Sequence, residues 1–252
     1  MAGLHAVTEG TGQRIVLVHG FTQTQACWGP VGEALVADHE VMRIDAPGHG
    51  GSSAVRADLV TGAELIADTG GSATYLGYSM GGRFALHVAL RRREVVDGLV
   101  LVGATGGIDD DGEREARRRA DDELAVTLER DGVEAFVDDW LAQPLFAGLG
   151  PGASFRAERL ANTAEGLASS LRLAGTGTQA PLWDQLASVD APVLVVAGEL
   201  DVRFTELGRR IVDAIGTNAE LAVVEGAGHT THLEQPDRFL AALRPWLAEH
   251  GL

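Results

Sequence analysis

The sequence predicts an α/β fold in which a mostly parallel central sheet is flanked by helices, with a helical segment inserted between two of the strands. Apolar, β-branched runs alternate with helix-compatible segments up to Val102 and again from Val193 onwards. Between Ala104 and Asp190 the strand signal disappears. Regular alternation of strands and helices is typical of a parallel sheet covered on both faces.

The strands are predicted from apolar runs that end in glycine-rich or polar loops. The first is a short edge strand, and the others are continuous apolar runs typical of buried strands: Leu4–Val7, Arg14–Val18, Glu40–Ile44, Ala73–Tyr78, Val96–Val102 and the runs beginning at Val193 and Leu221. Helices are predicted between and after them at Trp28–Val36, Leu59–Thr69, Gly82–Arg92, Glu206–Ile215 and Gln235–His250.

The middle of the chain is predicted to form a helical cap over the ends of the strands. Its helix-compatible runs are Gly112–Arg130, Val133–Gln143, Ser154–Leu173 and Pro181–Val189. Glycine-rich breaks separate these runs. We therefore expect a core made of residues 1–103 and 191–252, and a cap made of residues 104–190.

Length and composition allow one sizeable core plus a small insertion. The chain has 252 residues, is 45% hydrophobic and has a mean hydropathy of +0.05. No stretch approaches the roughly 20 apolar residues that cross a bilayer, and the first 13 residues lack a basic start and an apolar core. We expect a cytoplasmic protein with no membrane partner.

The single cysteine, Cys27, excludes an internal disulfide and is expected to pack as a small apolar side chain.

The charge of the chain excludes several classes of function. A formal net charge of −16 argues against nucleic-acid binding and against anionic membrane surfaces, because both need a basic face. All 20 basic residues are arginines. The absence of lysine excludes Schiff-base chemistry and the lysine of a phosphate-binding loop.

A glycine-flanked serine forms the centre of the predicted site. Gly77-Tyr78-Ser79-Met80-Gly81 lies between a predicted strand and a predicted helix, which is the context that the Gly-x-Ser-x-Gly pattern requires. The tight turn would project the Ser79 hydroxyl above the sheet. The helix N-terminus that follows would direct positive charge to the same place. Ser79 is therefore the candidate nucleophile or base.

Two further residues follow predicted strands and complete a candidate triad. Asp201 follows the strand that begins at Val193, and His229 follows the strand that begins at Leu221. The order Ser, Asp, His is that of the α/β-hydrolases. His229 would remove the proton of Ser79, while Asp201 would orient the imidazole.

Other residues could take these roles, and the sequence leaves them open as alternatives. His232 competes with His229 as base, and Glu199 competes with Asp201 as acid. His49 lies in a glycine-rich loop, where a histidine more often bonds the backbone. A zinc site built from the two histidines after Gly228 is disfavoured, because no helical His-Glu-x-x-His spacing is present.

An oxyanion hole is predicted from two backbone amides. One belongs to Met80, directly after the candidate nucleophile, and the other to Phe21, in the loop after an early strand. Only the N–H of Phe21 is needed for this role.

Beyond these core patterns, the chain resembles one enzyme family over nearly its whole length. The motifs, in order, are His19-Gly-Phe, Pro47-Gly-His-Gly, Gly77-Tyr-Ser-Met-Gly-Gly-Arg83, Glu113-Arg-Glu-Ala-Arg117 with Asp121, Trp140 with Pro144-Leu-Phe146, Arg159-Leu-Ala-Asn162, Gly166-Leu-Ala, Gly175-Thr-Gly, Leu182-Trp183, Gly198-Glu-Leu-Asp201 and Gly226-Ala-Gly-His229-Thr-Thr-His232-Leu-Glu234. They resemble the 2-succinyl-6-hydroxy-2,4-cyclohexadiene-1-carboxylate (SHCHC) synthases of menaquinone biosynthesis. The core motifs are shared with esterases, so the cap pattern is the specific part.

The resemblance implies a lyase on a hydrolase scaffold, with no cofactor and no metal. In that family the histidine-activated serine starts proton abstraction from a small anionic cyclohexene substrate, and pyruvate leaves by a 2,5-elimination. Carried over to this chain, Arg117 and Arg159 would bind substrate carboxylates. Trp140 would form a wall of the cap, and Tyr78 and Arg83 would support the site beside the nucleophile.

Some features of the chain depart from that pattern or allow another function. Arg203 stands where many members of the family have lysine, and residues 105–190 contain 17 acidic and 8 basic residues. Any anion site in the cap must therefore come from particular arginines turned inward. A serine carboxylesterase or C–C bond hydrolase is the alternative enzyme, and a non-catalytic ligand receptor is the alternative outside enzymes. The oligomeric state is left open.

Overall fold

The apolar runs form one sheet of seven strands. In the computed structural model, which describes residues 3–150 and 152–252, the strands are β1 (Ala6–Glu9), β2 (Arg14–Val18), β3 (Glu40–Ile44), β4 (Ala73–Tyr78), β5 (Val96–Val102), β6 (Val193–Gly198) and β7 (Ala219–Val224). Their order across the sheet is β1-β3-β2-β4-β5-β6-β7. Only β1 runs antiparallel to its neighbour, β3. The predicted α/β fold class is thereby confirmed.

The helices of the two chain ends cover both faces of this sheet. They are α1 (Gly29–Leu35), α2 (Leu59–Gly70), α3 (Met80–Arg91), α7 (Val202–Ile215), α8 (Thr231–Glu234) and α9 (Pro236–His250). One buried cluster joins α2, α3 and α7 to one face, and a second joins α1 and α9 to the other. The central strand β4 is buried at every position because helices pack on both of its sides.

Helices fill the region between β5 and β6. They are α4 (Asp111–Leu141), α5 (Arg156–Arg159) and α6 (Ala164–Ala174), and a 3₁₀ helix at Trp183–Ser188 leads into β6. They have a small apolar cluster of their own, in which Leu128 of α4 packs with Leu167 and Leu171 of α6, and Phe21 from the loop after β2 packs against it. The division of the chain into core and cap at residues 104 and 190 stays a prediction.

The helices of this region match the sequence prediction at one break and differ from it at another. The two runs predicted around Gly132 are helical, and the break between them falls at Gly132, whose φ of +84° and ψ of 172° lie outside the helical region. The single helix predicted at Ser154–Leu173 is instead two helices. It is interrupted because the Thr163 hydroxyl accepts a hydrogen bond from the Gly166 amide at 3.1 Å and starts a new helix there.

No helix in the described part of the chain is long and apolar enough to cross a membrane. Cys27 is buried, as its predicted packing role requires. Burial raises the pKa of its thiol.

Candidate active site

Ser79 occupies a turn that only small neighbours allow. It has φ +51°, lies between β4 and α3, and donates its backbone N–H to the Val102 carbonyl at 2.8 Å. A Cβ atom on Gly81 would lie 1.9 Å from the Val18 carbonyl oxygen, and one on Gly77 would lie 2.3 Å from the Gly81 carbonyl oxygen. The two glycines are therefore needed for the strand and the helix to meet at this angle, and the turn holds Ser79 at the N-terminus of α3.

The three residues of the candidate triad form one hydrogen-bonded chain. Asp201 Oδ2 accepts a hydrogen bond from His229 Nδ1 at 2.8 Å. His229 Nε2 lies 3.4 Å from Ser79 Oγ. Because the Nδ1–H donates to the carboxylate, Nε2 is left as an acceptor for the serine proton. The contact to the serine is the longer of the two.

The competing residues bind elsewhere. Glu199 accepts a hydrogen bond from the Gly226 amide at 2.9 Å, whereas the imidazole of His229 is bonded to Asp201. His232 is buried with its ring centroid 4.7 Å from those of Trp28 and Tyr78. Burial lowers its pKa to about 3, so it remains a neutral packing residue.

His49 likewise packs inside the loop that follows β3. It is fully buried, and its Nδ1 donates to the Pro47 carbonyl at 3.0 Å. Its ring contacts those of His19 and Phe21. Within residues 3–150 and 152–252, no group of three or more His, Cys, Asp or Glu side chains is placed to hold a metal ion.

A cavity of about 730 Å³ opens above the triad. Ser79, Asp201 and His229 lie in its wall together with Phe21 and Met80, whose amides are the predicted oxyanion donors. Met80 is the first residue of α3, where backbone N–H groups lack partners within the helix. The volume is ample for a substrate of the size that binding clefts usually hold.

Arg83 and Arg117 are two of the arginines that line this cavity, and each is held differently. Arg83 is buried on α3 and donates to the Ala174 carbonyl at 2.8 Å. Burial lowers the pKa of Arg83 to about 10, with a contribution from nearby Arg117. Arg117 of α4 donates from Nε to Asp121 at 2.7 Å, and its side chain is 41% exposed while that of Asp121 is 2% exposed. Both guanidinium groups thus border the space in front of Ser79.

Arg159 approaches the triad from the other side. With Ser79, Tyr78 and His229 it lines a chamber of about 30 Å³ next to the main cavity. Its Nε donates to the Ser154 carbonyl at 2.8 Å, and its Nη1 donates to the Thr22 hydroxyl. Burial lowers the pKa of Arg159.

The aromatic residues predicted for the site form its walls. Trp140 lines both spaces, and its ring stacks on Phe136 with the Phe21 ring edge-on at 5.2 Å. Tyr78 lies behind the triad, and its hydroxyl pairs with the Thr230 hydroxyl at 3.1 Å. Its ring is tilted against that of His229. Apart from the alternatives Glu199, His232 and His49, the residues that the sequence suggested line the main cavity or the small chamber beside it.

The sequence reasoning did not single out Arg210 in the cavity wall and gave no role to Asn162. Arg210 lines the cavity from α7, and the pattern could have shown it, because Arg203, Glu206 and Arg210 fall at i, i+3 and i+7 after Asp201. Asn162 was part of the family pattern without a stated role. Its amide donates to the Thr22 carbonyl at 2.7 Å and its oxygen accepts from the Gly50 amide, so it ties the helical region to two core loops.

Comparisons with known proteins show which family the chain resembles. A family model described as the alpha/beta hydrolase family matches residues 15–242. The chain is 35% identical over 241 residues to a Bacillus subtilis (strain 168) protein provisionally named 2-succinyl-6-hydroxy-2,4-cyclohexadiene-1-carboxylate synthase, covering 90% of this chain and 87% of that protein. It is 32% identical to the protein of that name from Klebsiella pneumoniae (strain ATCC 700721 / MGH 78578), with 93% of each covered.

A solved structure gives the same relationship. The fold matches that of MenH from S. aureus with a TM-score of 0.91 and 31% sequence identity, covering 98% of this chain and 99% of that one. The chain therefore belongs to the α/β-hydrolase family and, within it, to the group of proteins named SHCHC synthase or MenH.

Proposed function

We propose that the protein is an SHCHC synthase, a carbon–oxygen lyase of menaquinone biosynthesis that eliminates pyruvate from a polycarboxylated cyclohexene. The observation that carries this proposal is the hydrogen-bonded chain Ser79–His229–Asp201, which opens into a cavity bordered by inward arginines. Relatives of that name match the chain over most of its length.

The proposed reaction moves protons without consuming water. His229 Nε2 takes the proton of Ser79, and the serine oxygen then takes a proton from ring position 2 of the substrate. The electron pair left behind moves through the ring double bond and expels the oxygen at position 5. The imidazolium then donates its proton to the departing enolate, which becomes pyruvate, and Asp201 stabilises the imidazolium meanwhile.

The amides of Phe21 and Met80 would act on the charge that this step creates. Removing a proton next to the succinyl carbonyl places negative charge on that carbonyl oxygen. Two N–H donors directed at this oxygen would stabilise the transition state by about 3 kcal/mol each, as in comparable sites.

The arginines would select the substrate and orient it. A guanidinium group binds a carboxylate through two parallel hydrogen bonds, so Arg83, Arg117 and Arg159 offer places for the carboxylates of a polyanion. They lie on two sides of Ser79, in the main cavity and in the small chamber. In this arrangement Trp140 closes the apolar wall, and Tyr78 holds the imidazole in place from behind.

The direct test is pyruvate release from the pathway intermediate. Purified protein would be mixed with the substrate, and pyruvate would be followed through lactate dehydrogenase and the loss of NADH absorbance. We expect steady release that depends on enzyme concentration. Rapid hydrolysis of p-nitrophenyl esters without any pyruvate would contradict the proposal.

A serine carboxylesterase or C–C bond hydrolase is the second candidate, and one observation favours it. The carboxylates of Asp109, Asp110, Glu113 and Glu206 also line the cavity, and they would repel a substrate with several negative charges. The same triad could then act on a neutral ester with water as the second substrate. Assays with matched anionic and neutral substrates separate the two functions.

A further inference from the structure

Arg210 lies at the exposed side of the cavity, between an aromatic ring and a carboxylate. Its guanidinium carbon lies 3.6 Å from the ring centroid of Trp183. Nη1 and Nη2 donate to the two carboxylate oxygens of Asp109 at 2.6 and 3.2 Å. One face of the guanidinium thus rests on an aromatic ring while its edge binds a carboxylate in the bidentate manner of a ligand.

The two partners come from the two ends of the inserted region. Asp109 lies in the segment that leaves β5 for α4, and Trp183 opens the 3₁₀ helix that leads to β6. The Trp183 indole N–H donates to the Gly107 carbonyl at 3.3 Å and fixes the two segments to each other. Trp183 would therefore keep Arg210 in place if Asp109 moved away.

We propose that Arg210 is a carboxylate-binding residue at the exposed side of the cavity. Asp109 binds the Arg210 guanidinium in the absence of ligand, and a carboxylate of the ligand displaces Asp109 from it. This inference rests on the proposed function, because the ligand it implies is a polycarboxylate. It adds a binding position away from Ser79 for a carboxylate distant from the reacting ring.

The exposure of the pair is what allows the exchange. The side chains of Arg210 and Asp109 are 46% and 56% exposed, and an exposed ion pair of this kind is weak. Displaced Asp109 would return to water without penalty. Asp121, the partner of Arg117, has a side chain only 2% exposed, and a ligand that displaced it from Arg117 would leave its carboxylate inside the protein without a charged partner.

A ligand role and a purely structural role predict different KM changes in two variants. The structural role predicts changes of the same sign, and the ligand role predicts changes of opposite sign. If the pair only ties the inserted region to α7, Asp109→Asn and Arg210→Gln both break the tie and change KM in the same direction. If Asp109 competes with the ligand, Asp109→Asn lowers KM for the anionic substrate by about three- to tenfold, and Arg210→Gln raises it by a similar factor. In both variants kcat should change little, because neither residue touches the reacting atoms.

Three further variants show whether the effect passes through Arg210. Adding Asp109→Asn to the Arg210→Gln variant should leave the KM of that variant unchanged, because Asp109 then has no arginine for which to compete with the ligand. Glu113→Gln removes another carboxylate of the cavity wall and should lower KM less than Asp109→Asn does. Arg209→Gln removes the neighbouring exposed arginine, which is not part of the cavity wall, and should have no effect.

Binding of succinate tests the proposal independently of turnover. Succinate should change the tryptophan fluorescence of the protein by displacing Asp109 next to Trp183, and the change should be lost in Trp183→Phe and in Arg210→Gln. An unchanged succinate response in Arg210→Gln, or KM shifts of the same sign in the two single variants, would overturn the proposal. Failure of the wild-type protein to release pyruvate would instead overturn the proposed function, while the succinate titration would still decide the role of Arg210.

Discussion

Asp201 and Glu199 are two residues apart on one loop, yet they bond to different groups. Asp201 accepts from the imidazole of His229, whereas Glu199 accepts from the Gly226 amide. The difference arises because Asp201 is also the N-cap of α7, accepting from the Phe204 amide at 3.2 Å, which fixes its carboxylate at the start of that helix. The role of acid partner in the triad is thereby assigned to Asp201 in our proposal.

Replacing Asp201 by Asn should reduce kcat by about 10⁴-fold, because an amide N–H facing Nδ1 would stabilise the wrong imidazole tautomer. Glu199→Gln is the matched control and should retain nearly all activity. The rates would be measured by pyruvate release under saturating substrate. A large loss in Glu199→Gln with little loss in Asp201→Asn would contradict the assignment.

At the residue scale, the sequence could predict Ser79, Asp201 and His229 because each follows a strand, and parallel strands end at the same edge of the sheet. It could not predict the surroundings of Arg159. That side chain is positioned by Thr22 and Ser154, which lie far apart in the chain, and no local pattern encodes such a contact.

Helix α4 presents arginines with different surroundings. Arg117 faces the cavity beside buried Asp121, whereas Arg118 is exposed and pairs with Glu115 on the same helix. The two arginines are neighbours in the sequence, and the packing of α4 against α6 is what distinguishes them.

Arg117→Ala should raise KM for the anionic substrate by about 10- to 100-fold, because a charge-assisted contact to a carboxylate is lost. Hydrolysis of a neutral p-nitrophenyl ester, if it occurs, should hardly change. Arg118→Ala removes the same charge from the next position and should behave as wild type. Equal effects of the two variants would mean that only the overall charge of α4 matters.

The kink in α4 depends on a backbone conformation that glycine adopts easily. Gly132 has φ +84° and ψ 172°, and an added Cβ would meet nothing within 4 Å. Gly132→Ala should therefore reduce the free energy of unfolding by about 1–3 kcal/mol through backbone strain alone. Urea denaturation would measure this.

The control for this variant is Gly150→Ala, at a position that also has open space around it but no positive φ. It should leave the free energy of unfolding nearly unchanged. Equal losses at Gly132 and Gly150 would show that the positive backbone angle is not responsible.

At the element scale, the strands of the core were predicted closely. The five strands β2 to β6 each begin at the residue at which the predicted apolar run begins. The inserted helices were predicted less well. Their ends depend on single caps such as Thr163 and on tertiary hydrogen bonds such as those of Asn162, which hydrophobic periodicity does not show.

Three buried histidines make the stability of the whole molecule dependent on pH. Burial lowers the pKa of His49 and His232 to about 3 and that of His87 to about 4, from an ordinary value of 6.5. Each has a buried ring nitrogen without a hydrogen-bond partner. The unfolded chain therefore binds protons below pH 6.5 that the folded chain does not bind, and stability must fall as the pH drops from 6.5 towards 4 and 3.

We expect the contribution of these histidines to the free energy of unfolding, measured in urea, to be constant above pH 7. The free energy of unfolding should decrease between pH 6.5 and 4.5. His232→Leu should make that decrease less steep, because the unfolded variant binds about one proton fewer in this pH range. The variant should still fold, because the ring of His232 lies among apolar side chains that leucine can also contact. An identical slope in His232→Leu would contradict the inferred neutrality of His232.

At the scale of the whole molecule, composition and alternation were sufficient to predict the fold class, because a parallel sheet covered on both faces follows from the order of strands and helices. The family resemblance predicted arginines at the site of a chain whose net charge is −16. The packed structure shows where they lie, with Arg83 and Arg117 in the wall of the main cavity and Arg159 in the small chamber.

The measurement that tests the central claim most directly is the simultaneous recording of pyruvate and of the conjugated ring diene formed from the pathway intermediate, for the wild-type protein and for Ser79→Ala. An elimination started by Ser79 predicts that pyruvate and the diene appear in equal amounts, and that both rates fall by several orders of magnitude in the variant, to roughly 10⁻⁴ or less of wild type. Pyruvate released without the diene, or undiminished turnover by Ser79→Ala, would contradict the account.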